Sequence, residues 1–193
     1  IALSRALGLP LAGIRDAVAA FRGAPGRLER VPAAQGPTVF VDYAHAPDAL
    51  EQVLSTVREL CTDRRLVCVS GCGGDRDRTK RPKMGAIATQ LAHRVIVTSD
   101  NPRSENPHAI IEEIVAGMAT GPQPVETVPD RREAITRAIR EAAATDVIVI
   151  AGKGHENYQI FRDRTIHFDD REEALTALQQ HWGESTAEKN PRL

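Results

Sequence analysis

Short apolar runs and longer segments with helical spacing of apolar residues alternate along most of this chain. Thr38 to Asp42, Leu66 to Ser70, Arg94 to Thr98, Val125 to Val128 and Val147 to Ala151 are rich in Val, Ile and Phe and read as strands. Between and after them, Pro47 to Leu60, Lys80 to Leu91, Pro107 to Met118, Arg131 to Ala144 and Arg171 to Gln180 read as helices. Pro47 and Pro107 fall in first helical turns, where the missing N–H costs nothing, and Asp169 and Asp170 are placed to cap the last helix. Strands alternating with helices build βαβ units, so the pattern predicts an α/β fold with a mainly parallel sheet and flanking helices. Tyr158 to Phe161 and Thr165 to Phe168, separated by Arg162-Asp163-Arg164, predict a C-terminal β-hairpin.

The first residues follow a different pattern. Ile1 to Leu7 and Leu11 to Phe21 read as two short helices around Gly8-Leu9-Pro10, and Gly23-Ala24-Pro25-Gly26 has linker composition. The expected organisation is therefore the end of a preceding domain over residues 1–22, a hinge over 23–26, a main domain over 27–182 and a flexible polar tail over 183–193. The start lacks the basic and apolar regions of a signal peptide, and its missing initiator Met points to a piece of a longer chain.

Composition narrows the function. A formal net charge of -1 gives no reason to expect nucleic acid or a membrane surface as partner, and no apolar run approaches the roughly 20 residues that cross a bilayer. Cys61, Cys68 and Cys72 are an odd number with no second Cys/His pair at metal-site spacing. A cytoplasmic protein with reduced thiols and no metal held by these residues is expected.

In an open parallel sheet, ligands bind beyond the carboxyl ends of the strands. Four predicted strands run into polar or glycine-rich segments there: Asp42-Tyr43-Ala44-His45-Ala46-Pro47, Gly71 to Arg78, Asp100-Asn101-Pro102-Arg103, and Gly152-Lys153-Gly154-His155-Glu156. Gly71, Gly73 and Gly74 allow tight turns and close backbone approach, and Arg76 offers a fork for a carboxylate or phosphate. Pro102 biases Asn101 towards extended backbone, so Asp100, Asn101 and Arg103 can read an amino group and a carboxylate. Glu156 can bind an ammonium, His155 can titrate near neutral pH, and Asp42 stands where a carboxylate binds ribose in nucleotide folds, with His45 within reach of a phosphate or base. Each segment alone also reads as a turn with solvated charges; their convergence on one sheet edge is the informative feature. No GxxxxGK[ST] loop occurs, so the chain has no triphosphate cradle of that kind.

In order, Gly26-Arg27-Leu28-Glu29, Asp42 to Pro47, Gly71 to Gly85, Asp100 to Arg103 and Gly152 to Glu156 resemble the C-terminal domain of the Mur ligases, in particular their diaminopimelate-adding branch. The resemblance runs from about Gly26 to Phe168. It implies a Rossmann-like domain that presents the incoming amino acid to a central ATPase domain, beside a domain that binds the UDP-sugar. ATP and magnesium are the implied cofactors, with an acyl phosphate formed on UDP-N-acetylmuramoyl dipeptide and attacked by the amine of meso-diaminopimelate. By that likeness Arg76, Asp100, Asn101, Pro102, Arg103, Gly152 and Glu156 bind meso-diaminopimelate, while Arg27, Asp42 and His45 meet ATP. The phosphate loop, the magnesium ligands and the carbamylated lysine of the family have no counterpart in this sequence, so no catalytic or metal-binding residue is expected in it. Ser99 departs from the acidic residue common before the motif. The alternatives are a lysine-adding Mur ligase, opposed by Arg103, a folylpolyglutamate-type synthetase, opposed by Asp100 to Arg103 in combination with Gly152 to Glu156, or a stand-alone Rossmann-like binding module, opposed by residues 1–22.

Overall fold

The computed structural model describes residues 2–21, 23–118 and 125–183. Helices α1 (Ala2–Ala6) and α2 (Leu11–Ala20) come first, and of their residues Ile14 alone is buried. Leu3, Leu7, Leu11, Val18 and Phe21 remain exposed. Gly23 and Gly26 then turn the chain through positive φ, a conformation open to glycine at little cost.

The sheet contains β1 (Glu29–Arg30), β2 (Thr38–Asp42), β3 (Leu66–Ser70), β4 (Arg94–Val97), β5 (Val125–Thr127) and β6 (Val147–Ala151), in the order β1-β2-β6-β3-β4-β5. All its neighbours are parallel except β1 with β2. Side chains alternate cleanly across it. Leu66, Cys68, Val95, Val97, Val147 and Val149 face one apolar layer with α3 (Pro47–Leu60), α4 (Lys80–Leu91) and α5 (Pro107–Val115). Val39, Val41, Val67, Val69, Ile96, Ile148 and Ile150 face the other, under α6 (Arg131–Arg140) and α7 (Asp170–Trp182). Central strands covered on both faces need apolar residues at every position, which is why these runs are so legible.

Pro47 and Pro107 occupy the first helical turns expected of them. Asp169 caps α7 by accepting from the Arg171 N–H, whereas Asp170, read as a second cap, is drawn into the interior by Arg131. Helix α5 stops at Val115 rather than Met118, where Gly117 packs against the Pro82 carbonyl. Helix α6 stops at Arg140 rather than Ala144, because the Asp146 carboxylate takes the Ala143 N–H at 3.0 Å into a turn. The hairpin forms as β7 (Tyr158–Ile160) and β8 (Thr165–His167), antiparallel and separate from the main sheet. The frayed tail expected over 183–193 lies, beyond Gly183, outside the described residues. No helix among the described residues is long and apolar enough to cross a membrane.

Register places the site. Ala151 stands opposite both Asp42 and Ser70, and Ser70 opposite Val97. The four strands thus end level, and the segments after them emerge side by side.

Candidate functional site

Two of these segments are fitted together by glycine. A Cβ on Gly71 would lie 2.2 Å from the Thr98 carbonyl oxygen, and one on Gly74 would lie 1.9 Å from that of Pro102. The Gly74 N–H donates to the Asn101 carbonyl at 2.8 Å. These glycines, read in the sequence as allowing tight turns and close backbone approach to a ligand, are closely approached by the backbone from Thr98 to Pro102. Arg81, fully buried, closes the seam: it donates to the Gly73 carbonyl and to both Glu105 oxygens, at 2.8 and 2.9 Å. The same glutamate accepts from the Asp75 N–H, and Asp75 in turn accepts from the Ser104 hydroxyl.

Pro102 and Glu105 close a tight turn in which Arg103 has φ 51°, a strained conformation for a non-glycine residue. That turn aims the half-buried Arg103 across Gly73. Its Nη1 donates to the carbonyls of Gly74 at 2.9 Å and Asn101 at 3.4 Å. Among the described residues, nothing bonds to its Nε or Nη2, which leaves one side of the fork for a ligand anion. Arg76 is exposed beside it, its Nη1 donating to the Asp75 carbonyl and its stem close to Gly73. Two guanidinium-bearing side chains flanking one glycine form a natural position for a carboxylate.

The segment after β6 supplies the opposite charge. Gly152 has φ 125° and borders the Asp100 carboxylate. Lys153, fully buried, donates to Asn101 Oδ1 at 3.1 Å and Asp100 Oδ1 at 3.4 Å, and lies 3.6 Å from Glu156 Oε2. Burial pulls its ammonium below the usual lysine value, while the Asp100 charge works against that shift. The Asn101 amide donates from Nδ2 to Glu156 Oε2 at 3.0 Å, and its Oδ1 also accepts the Ile160 N–H at 3.0 Å. Gln159 holds the Asp100 carbonyl at 2.7 Å, so the hairpin is a wall of the site.

Residues expected to meet a nucleotide gather around Tyr43. The Arg27 guanidinium lies over its ring at 5.0 Å from the centroid, His45 meets it edge-on at 4.6 Å, and His155 stands at 5.3 Å. Asp42 has a structural duty as well. One of its oxygens accepts the Leu28 N–H and the other the Ala44 N–H, both at 2.7 Å, pinning the Arg27 loop to the strand end. Each carboxylate oxygen can accept a further bond, so this pinning leaves room for a ribose hydroxyl. The Tyr43 hydroxyl donates to Glu156 Oε1 at 3.5 Å and joins this cluster to the charged one.

Sequence reasoning gave Tyr43 no role, counted Lys153 only as a charge in its loop, and passed over Arg131. Arg131 is fully buried, paired with Asp170 through two bonds of 2.7 and 2.8 Å, and donates to the carbonyls of Ser99 and Ala151. Those carbonyls immediately precede Asp100 and Gly152. Burial pushes the Cys68 thiol up to about 11 and the Cys72 thiol up to about 12, so neither offers a thiolate at neutral pH. Among the described residues, no three His, Cys, Asp or Glu side chains gather as a metal site.

The family model described as Mur ligase, glutamate ligase domain, matches residues 26–154. UDP-N-acetylmuramoyl-L-alanyl-D-glutamate--2,6-diaminopimelate ligase of Parasynechococcus marenigrum (strain WH8102) is 58% identical over 178 residues, covering 90% of this chain and 35% of the relative. The ligase of the same name from Syntrophomonas wolfei subsp. wolfei is 54% identical over 166 residues, covering 86% of this chain and 34% of its own length. A solved structure of a ligase of that name has a TM-score of 0.77 at 42% identity, over 92% of this chain and 36% of that one. Folylpolyglutamate synthase of Thermotoga maritima shares the fold, with a TM-score of 0.56 at 23% identity over 75% of this chain and 31% of its own. This chain spans about a third of the length of the curated relatives it matches. From the Gly26 turn to the Gly152–Gly154 segment, in sequence and in fold, it belongs to the Mur ligase family.

Proposed function

We propose that this chain is the amino-acid-presenting domain of a ligase that joins meso-diaminopimelate to UDP-N-acetylmuramoyl-L-alanyl-D-glutamate in the cytoplasm, for peptidoglycan synthesis. The observation that carries the reading is the join between Asp100–Arg103 and Gly152–Glu156. It sets an arginine fork a short distance from a carboxylate pair, and so matches an amino-acid centre bearing both an ammonium and a carboxylate. In this reading Glu156 and Asp100 take the distal ammonium, Arg103 and Arg76 take the distal carboxylate, and Gly152 keeps the backbone clear. Asn101 orients Glu156, and Pro102 sets the turn that aims Arg103. The other amine of the ligand is thereby left pointing out of the domain, towards the activated acceptor.

Arg27, Asp42 and His45, arranged around Tyr43, are the residues that would meet ATP on closure, with Asp42 on the ribose. ATP supplies phosphoryl activation of the acceptor carboxylate. Magnesium and the UDP-sugar belong in this reading to upstream domains, with residues 1–22 as the end of one and 23–26 as the hinge. This chain alone then binds and orients but does not turn over.

The test is phosphate release by the full-length ligase carrying this domain, with ATP and the UDP-muramyl dipeptide. Lysine lacks the distal carboxylate and would leave Arg103 unpaired, so meso-diaminopimelate should be preferred by about 100-fold or more in kcat/KM. Arg103→Ala should remove most of that preference. Equal use of both amino acids by the wild-type enzyme would send the assignment to another ligase of the family.

A further inference from the structure

Lys153 has an unusual position for a lysine. Its side chain is fully buried, yet it faces the ligand loops rather than solvent. It belongs to neither the Asp100–Arg103 motif nor the nucleotide cluster, although it donates to Asp100 and Asn101 of the former. Its surroundings are polar on one side, with Asp100, Asn101 and Glu156, and aromatic on another, with the Tyr158 ring 5.6 Å away.

The geometry at Asn101 is decisive. A carboxamide can point either end at a neighbour, and only its partners fix which. Here two donors converge on the oxygen: the Lys153 ammonium at 3.1 Å and the Ile160 N–H at 3.0 Å. Neither can accept, so Oδ1 must face them and Nδ2 must face away. Nδ2 then meets Glu156 Oε2 at 3.0 Å. Asn101 itself is 2% exposed, too enclosed to do much besides relay this order. Lys153 therefore acts at Glu156 by two routes, one electrostatic across 3.6 Å and one through the locked amide.

Resting on the function proposed above, we infer that Lys153 is a positioning residue for diaminopimelate: it fixes the Asn101 amide and thereby the Glu156 carboxylate that receives the ligand's distal ammonium. It also offsets one of the two carboxylates there. With Lys153 in place, Asp100 and Glu156 together present a single net negative charge to the ligand ammonium. Without it, the two acids would repel each other, and Asn101 Oδ1 would keep only the Ile160 N–H, a weaker hold on the amide that orders Glu156.

The test uses the full-length ligase and three variants, with KM and kcat measured separately for diaminopimelate, ATP and UDP-muramyl dipeptide. Lys153→Met keeps the length and apolar stem but removes the donor. It should raise KM for diaminopimelate by about 10- to 100-fold, the loss of a bond to a charged group, with kcat and the other two KM values within about 3-fold. Lys153→Gln restores an N–H donor without the charge and should recover at least half of that loss on a logarithmic scale. In Lys153→Met combined with Asn101→Leu, the relay predicts an effect no larger than the greater single effect, because both changes cut one chain of contacts. A merely structural role would instead lower all three affinities or the yield of folded protein together. Unchanged KM for diaminopimelate in Lys153→Met, or additive effects in the double variant, would overturn the inference. Should the methionine variant not fold, Lys153→Gln and Asn101→Leu decide it: the first must stay closer to wild type in KM for diaminopimelate than the second. The opposite order refutes the relay. Failure of the function proposed above would look different, as a wild-type enzyme without preference for diaminopimelate.

Discussion

At the scale of single residues, the site is built as much by absent side chains as by present ones. Gly74 is the clearest case: any Cβ there would lie 1.9 Å from the Pro102 carbonyl oxygen, a backbone atom that cannot step aside alone. Gly74→Ala should therefore cost about 1–3 kcal/mol in urea unfolding, an overpacking penalty, and should weaken diaminopimelate binding because the Arg103 turn must shift. Wild-type stability with wild-type affinity would mean that the two loops are not in contact in solution. The sequence marks Gly74 as unusual but cannot say what fills the space, and ligand and neighbouring backbone leave the same signature. Asp42 presents a similar ambiguity. Its place at the end of β2 suits a ribose, yet both of its oxygens already hold backbone N–H groups of Leu28 and Ala44. Tyr43, which gathers Arg27, His45 and His155, was hidden because its three partners come from three segments.

At the scale of elements, the strands and most helices were legible because burial on both faces demands unbroken apolar runs. What escaped had no such demand. Strand β1 is two charged residues, Glu29 and Arg30, pairing antiparallel on the sheet edge, and nothing in its composition marks it. The ends of α5 and α6 were overextended because Ala and Met continue a helical pattern, while the turns that stop them depend on Pro82 and Asp146. The seam between the glycine loop and the N-terminal approach to α5 has a pH signature. Hydrogen bonds from Arg81 hold the Glu105 carboxyl down at about 2, against a usual value near 4.5. A carboxyl depressed in the folded state binds fewer protons there than in the unfolded chain, so stability rises with pH across that interval. Its contribution is complete above about pH 4.5 and is lost as pH falls through 2. Urea midpoints between pH 2 and 5 should therefore depend less steeply on pH in Glu105→Gln than in wild type, with the variant less stable at pH 7. Parallel curves would show that Arg81 does not hold this carboxylate in solution.

For the whole molecule, the question is what keeps four loops from different strands in one arrangement, and the buried Arg131–Asp170 pair is central to it. Both residues open helices, α6 and α7, on the same face of the sheet. A guanidinium at the N-terminus of α6 is opposed by the helix dipole, so it persists there only because Asp170 meets it with two bonds. Burial works against its charge, yet the Asp170 carboxylate more than compensates and keeps the Arg131 pKa above the usual value. Its remaining donors reach the carbonyls of Ser99 and Ala151, the last backbone groups before Asp100 and Gly152. Neither charge was legible as buried in the sequence, because an arginine and an aspartate at helix starts normally read as solvated, and their partnership spans 39 residues. Arg131→Met should cost about 3–5 kcal/mol, since it strands a fully buried carboxylate, whereas Arg131→Met with Asp170→Leu should recover much of that loss. Stability alone would then be largely restored, but the double variant still lacks the donors to Ser99 and Ala151. Its affinity for diaminopimelate, measured in the full-length ligase, should stay several-fold weaker than wild type. Full recovery of both would reduce the pair to a packing element; recovery of stability without affinity would make it the clamp that holds the β4 and β6 loops in register for the ligand.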